Sequence, residues 1–358
     1  MSEVLFASVK FKGYDPAGTL PSKFKRLLAE SGAAERFRDK SVAIKMHVGR
    51  AIGYTTIPPL FVKIVADWVR DAGGRPFITD QTVAGARVRG YSEELFGCPL
   101  LDACGLLGKY YYEKNVDYRT FKNVDVAGYI HDAQALINLS HVKGHGACGY
   151  GGAVKNIAMG CVTDRTRIQI HGLEGGLKWD EALCSHCDAC IVGCNHNANE
   201  FRDGIYSVNY HDCTLCQHCT KVCPTGALTQ DGNSYEAFQT GLALCTKAVL
   251  EGFAPEDIYH INFLTDITML CDCWGLSTPA LVPDIGVMAG SDIVSVEKCC
   301  IDAIKEENLI PGGLPVGHEL RSGGHLLERI HGKNPFIQLK KLEEYGLGSM
   351  DYSLREIE

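Results

Sequence analysis

Cys184, Cys187, Cys190 and Cys194, then Cys213, Cys216, Cys219 and Cys223 with Pro224 behind the last, spell C-x2-C-x2-C-x3-C twice within forty residues. No other feature restricts the fold so tightly, because eight thiolates at that spacing are the ligand set of two [4Fe-4S] clusters. Three closely spaced thiolates wrap three corners of one cubane, and the next turn of chain carries the fourth to the other. The spacing predicts one cluster on Cys184, Cys187, Cys190 and Cys223, and a second on Cys213, Cys216, Cys219 and Cys194.

A structural zinc site is the plainer use of paired C-x-x-C, but it needs only four thiolates and usually shows two pairs split by a longer loop. Here each run has four. The stretch resembles bacterial two-cluster ferredoxins, and Val222-Cys223-Pro224-Thr225-Gly226 looks like the close of their second half. Asn195 departs from that pattern by standing where proline is expected. His186, His196, His211 and His218 crowd the ligands and can tune the potential through N–H to sulfur hydrogen bonds. The family-wide range of roughly 1.1 V leaves the value open.

With 358 residues, 46% of them hydrophobic, the chain has length for one large core and a small satellite. Its 17 cysteines would suggest disulfides in a secreted protein. The opening MSEVLFASVK has no long apolar core, and no stretch approaches about 18 apolar residues, so we expect a soluble, reduced, cytoplasmic protein without a membrane span. A net charge of -8 argues against a nucleic-acid surface. Asp180, Glu181, Asp188, Glu200, Asp203 and Asp212 outweigh Arg202 and Lys221 in the cysteine segment. That acidic face either steers a basic redox partner or keeps a small unit soluble.

The rest of the chain reads as alternating strands and helices. Apolar runs at 42–44, 76–79, 135–139, 258–264 and 285–288 have the length of buried strands. Ile57, Leu60, Phe61, Ile64, Val65, Trp68 and Val69 recur at helical spacing between Pro58-Pro59 and Gly73-Gly74. Strand, helix, strand makes a β-α-β unit, so an α/β fold with a mainly parallel, helix-covered sheet follows. Further helices are expected at 235–250, 296–307 and 336–345. The ferredoxin-like α+β segment at 179–229 then interrupts the α/β chain, whose two parts are 1–178 and 230–358.

In parallel sheets, ligands bind beyond the carboxyl ends of the strands. Lys45 and His47, Asp80, then His141, Lys143 and His145, then Asp266, Cys271 and Cys273 follow successive strands. We expect the active site there. Singly, each has a plainer role: Asp80 and Asp266 as caps, a histidine as a satisfied hydrogen-bonding group. Gly149-Tyr-Gly-Gly-Ala-Val-Lys155-Asn156 is a glycine-rich turn into a helix, able to hold an anion with its backbone N–H groups and Lys155. It matches neither the Walker nor the dinucleotide pattern. Cys271 and Cys273 offer two thiolates to a metal, with His47, His141 or His145 to complete the set, or they pack as small apolar residues. Cys299 and Cys300 suit a buried helix face. Cys98, Cys104, Cys148, Cys161 and Cys245 have no informative spacing.

Val42-Ala-Ile-Lys45-Met-His47-Val-Gly49, Phe77-Ile-Thr-Asp80, Ser140-His-Val-Lys-Gly-His145, Gly151-Gly-Ala-Val-Lys155-Asn156 and Cys271-Asp-Cys-Trp274 carry a further likeness. In them the chain resembles, nearly end to end, the uncharacterised iron-sulfur family catalogued as domain of unknown function 362. Gly146 departs from it, since an acidic residue often follows that histidine. The resemblance implies an α/β domain with a two-cluster insert and brings no settled reaction. We expect a redox protein, an oxidoreductase of unknown substrate, passing electrons from a ferredoxin or flavoprotein partner through two clusters to the sheet edge. An added metal or anionic cofactor could sit at that edge. The rival readings are an accessory electron carrier, which calls for a flat, uncharged sheet edge, and a metal-handling protein.

Overall fold

The computed structural model describes residues 1–49, 53–194, 197–209, 213, 218–230, 235–274 and 278–358. Its centre is an eight-stranded sheet. The strands are β1 (Ser2–Ser8), β2 (Ser41–Lys45), β3 (Arg75–Asp80), β4 (Leu100–Asp102), β5 (Ala135–His141), β6 (Ile258–Leu264), β7 (Gly286–Gly290) and β8 (Tyr352–Glu356). They lie side by side in the order β8-β1-β7-β6-β5-β2-β3-β4. Every neighbouring pair is parallel except those of β7, which runs against both β1 and β6. The expected mixed α/β fold with a mainly parallel sheet is therefore present.

Side chains alternate across a strand, so each central strand feeds two cores. Val42, Ile44, Ala135 and Ile137 face one layer, packed with Phe24, Leu27, Val62 and Val65. These come from α1 (Leu20–Glu30) and α2 (Pro59–Asp71). Ala43 and Leu136 face the other, with Val154, Ile157, Leu242, Val296 and Leu339. That layer is built by α3 (Ala153–Gly160), α4 (Tyr235–Leu250), α5 (Ile293–Ala303) and α6 (Ile337–Glu344). A sheet with its central strands buried on both faces needs such continuous apolar runs.

Local chemistry sets the helix ends. Proline begins α2, where its missing N–H costs no helical bond, and Gly73 leaves the helix at φ 84. Helix α5 starts and stops earlier than its apolar pattern suggested, because Asp292 Oδ1 accepts the N–H groups of Val294 and Ser295 and Ile304 turns extended. Cys299 and Cys300 are buried on it.

Around the cysteine runs, Leu177–Trp179 pairs antiparallel with Leu228–Gln230, which brings entry and exit of the segment together. A hairpin joins Asn199–Arg202 to Ile205–Val208. Its turn, Asp203-Gly204, takes φ 51 and 79, the left-handed pair such a tight turn demands. Cys190, Tyr206, Cys219 and Leu228 form an apolar cluster separate from both layers of the main sheet.

Candidate functional site

Cys184, Cys187, Cys190 and Cys223 line one cavity, together with Trp179 and Phe201. These are the four cysteines that the spacing alone assigned to one cluster. The loop between them places His186 and Asp188 at φ 50 and 55, left-handed for both. Strained backbone of this kind turns N–H groups toward a bound anion. The His186 N–H lies 3.5 Å from Cys184 Sγ, and that of Ala198 lies 3.3 Å from Cys194 Sγ. The Ala189 amide and the Ser185 side chain hold the Cys187 thiol below its ordinary value. Cys190 and Cys219 share the small apolar cluster. Cys216 lies outside the described residues, as do Asn195, His196 and His211.

At the carboxyl ends of β2 and β3, Lys45 Nζ stands 3.0 Å from Asp80 Oδ1, and His47 Nδ1 stands 2.8 Å from Asp80 Oδ2. Asp80 and Lys45 are buried. Burial raises the Asp80 carboxyl, but Lys45 and His47 outweigh it and hold the group well below the usual carboxylate range. Asn156 of α3 receives Lys45 Nζ at 2.5 Å and donates to Lys45 O, Leu139 O and Asn138 Oδ1. His47 Nε2 has no hydrogen-bond partner among the described residues.

A second buried group follows β5. His141 Nδ1 lies 2.7 Å and Lys143 Nζ 3.0 Å from Asp272 Oδ2, while Thr55 donates to Asp272 Oδ1 at 2.9 Å. Despite its burial, Lys143 and His141 keep the Asp272 carboxyl far below its ordinary range. His141 Nε2 donates to Thr265 O at 2.8 Å.

The third group joins the two cysteines to one histidine. Donor atoms of His145, Cys271 and Cys273 lie within 4.8 Å of one another. Among the described residues this is the one set of three such donors close enough for a single metal ion; no three sulfurs of the cysteine runs are. Lys155 Nζ sits 3.5 Å from Cys271 Sγ and 3.7 Å from Cys273 Sγ. Hydrogen bonding from Cys273, with the charge of Lys155, overcomes burial and holds Cys271 well below the ordinary thiol value, while Cys273 keeps its proton. Burial, helped by Lys155, pushes His145 down to about 3, so its ring is neutral. The Ala147 N–H donates to His145 Nδ1 at 3.1 Å, and Cys148 Sγ lies 3.4 Å from the same atom.

Two expectations change with this geometry. The start of α3 is not an open anion cradle, because Glu297 accepts the N–H groups of Ala153 and Val154, and Lys155 points at sulfur. Of the three histidines offered to Cys271 and Cys273, the structure brings only His145; His47 and His141 are engaged by Asp80 and Asp272. Asp266 is exposed in a left-handed turn (φ 49), its N–H bonded to Asp284. No described hydrogen bond ties its side chain to these groups. Asp272, Asn156 and Thr55 are the members that spacing did not single out. Asp272 lies between the two cysteines, and its place in the motif was the available signal.

A model of the family described as "Domain of unknown function (DUF362)" matches residues 42–302. Among curated proteins, the chain is similar to Protein NrfC of Escherichia coli (strain K12), 31% identical over 86 residues, which are 19% of this chain and 39% of that protein. It is also similar to the ferredoxin-type protein NapF of the same strain, 35% identical over 72 residues, 18% of this chain and 44% of that protein. The chain thus spans about two fifths of the length of these relatives. Among the described residues no helix is long and apolar enough to cross a membrane.

Proposed function

We propose that this chain, which belongs to the DUF362 family, is an iron-sulfur redox protein whose cysteine segment feeds electrons to a site at the sheet edge. The observation that carries this is the single cavity shared by Cys184, Cys187, Cys190 and Cys223. The cavity places the last cysteine of the second run beside three of the first, which is the grouping a crossed two-cluster ligand set calls for. In this reading those four residues hold one [4Fe-4S] cluster, and Cys194, Cys213, Cys216 and Cys219 hold the other. Such clusters supply one-electron transfer when bound. The similarity to a ferredoxin-type protein supports the same chemistry.

The chain's own residues supply what a carrier alone would not need. Lys45 and Asp80 form one buried ion pair with the half-buried His47 bonded to it, and Lys143 and Asp272 form another with His141. Burying charges is costly unless they are paired, so two such groups at one sheet edge suit an anionic substrate that needs fixed charges and a proton source. His47, with Nε2 unpartnered among the described residues, is the group to move that proton. An external ferredoxin or flavoprotein would deliver the electrons.

The accessory-carrier reading required a flat, uncharged sheet edge, and the buried ion pairs weigh against it. The test is anaerobic iron and sulfide quantitation with EPR of the dithionite-reduced protein. Iron for two [4Fe-4S] clusters and a spin-coupled signal are expected. Zinc in place of iron would sink the proposal.

A further inference from the structure

We propose that His145, Cys271 and Cys273 form a site for one thiolate-seeking divalent transition-metal ion, with Lys155 placed to hold an anionic ligand in its open coordination position. The inference uses none of the cysteines of the doubled run and stands apart from the electron-transfer reading. Ligands that share one zinc-like ion sit about 2.0–2.3 Å from it, so they lie within about 4.6 Å of one another. The donors of His145, Cys271 and Cys273 all fall within 4.8 Å, which leaves little for the side chains to move.

The rest of the fold fixes these three and excludes rivals. His47 and His141 are committed to Asp80 and Asp272. Asp272, between the two cysteines, is anchored by His141, Lys143 and Thr55, and this pins the turn from both sides. His145 and Cys271 are each 3% exposed, so water competes poorly for the position. Two sulfurs and an imidazole select zinc, cobalt or ferrous iron over magnesium or calcium. Three protein ligands are the number found in catalytic sites that keep one place open.

Charge then identifies the fourth ligand. Lys155 is close to both sulfurs, and they are its described partners. Two thiolates balance a divalent ion, which leaves the Lys155 charge unmatched in a buried place. An isolated buried charge is strongly disfavoured, so the loaded site calls for an anion, a hydroxide or a substrate carboxylate, between metal and ammonium.

The test is anaerobic titration of the full chain, clusters intact and zinc removed, with cobalt(II) alone. One equivalent should give the thiolate-to-cobalt charge-transfer band and the intense visible bands of a tetrahedral site. Cys271→Ser and Cys273→Ser should abolish the bands with cluster iron unchanged, and Cys98→Ser, remote from the site, should keep them. Lys155→Met should keep the tetrahedral cobalt bands, because Lys155 is not itself a ligand. It should also erase the shift of the visible bands that acetate produces in the parent protein. A parent protein without the charge-transfer band, serine variants that retain it, or a Cys271–Cys273 disulfide in the intact mass would each overturn the site. Loss of cluster iron alone would count against the electron-transfer reading instead.

Discussion

Glu297 accepts the backbone N–H of Val154 at 3.2 Å and that of Ala153 as well, so a carboxyl on α5 caps the helix that carries Lys155 and Asn156. Burial pushes this carboxyl up to about 7, against an ordinary value near 4.3. A folded-state value above the unfolded one favours the protonated form. The stabilisation is complete below about pH 4 and is lost as pH rises through about 7. Glu297→Gln keeps an acceptor oxygen and removes the titration. Relative to the parent, the variant should therefore gain on the order of 2–3 kcal/mol between pH 5 and pH 8. Urea unfolding at the two pH values measures this, and an unchanged difference between the proteins would refute it.

The Lys45–Asp80 pair makes the opposite prediction in acid. Its carboxyl is held below the usual range, so its contribution is present above about pH 4 and disappears as pH falls through the lower folded value. Asp80→Asn leaves the Lys45 ammonium buried without a carboxylate and should cost about 3–5 kcal/mol at neutral pH. Lys45→Met combined with Asp80→Leu should recover most of that loss. Denaturant midpoints decide it; a double variant as unstable as the single one would mean the pair is not the unit.

Much of this arrangement was legible locally. The run 258–264 is strand β6 and the run 235–250 is helix α4, because a continuous apolar strand and a long apolar helix announce themselves within their own residues. Strand β8 does not: Tyr352–Glu356 is largely exposed and pairs with the other end of the chain, a partnership set by distant residues. The reversal of β7 between β1 and β6 is hidden for the same reason. At the site, Lys45, His47 and Asp80 could be placed by counting from strand ends. The choice among three histidines for Cys271 and Cys273 could not, since it depends on Asp80 and Asp272 claiming the other two.

Crossed ligation in the cysteine segment has a spectroscopic signature. If Cys223 shares a cluster with Cys184, Cys187 and Cys190, then Cys223→Ser and Cys190→Ser should perturb the same EPR component. Cys194→Ser should perturb the other. Cys190→Ser and Cys194→Ser perturbing one component, with Cys223→Ser perturbing the other, would mean each run closes on itself.

Gly160 tests whether the sheet-edge charges depend on close approach of α3. A Cβ built there would stand 2.8 Å from Asp80 Oδ1 and would collide with Lys45 Nζ. The backbone conformation itself would accept alanine, since Gly160 is not among the left-handed residues. The penalty of Gly160→Ala is thus steric and falls on the ion pair, at about 1–3 kcal/mol. Gly172 closes the neighbouring helix Asp164–Gly172 with nothing within 4 Å of its Cβ direction. Alanine there should be neutral or stabilise by up to about 1 kcal/mol through the unfolded chain. Thermal unfolding of the two variants separates the effects: equal midpoints would show that Lys45 and Asp80 relax freely, and the site would then lack the rigidity its burial implies.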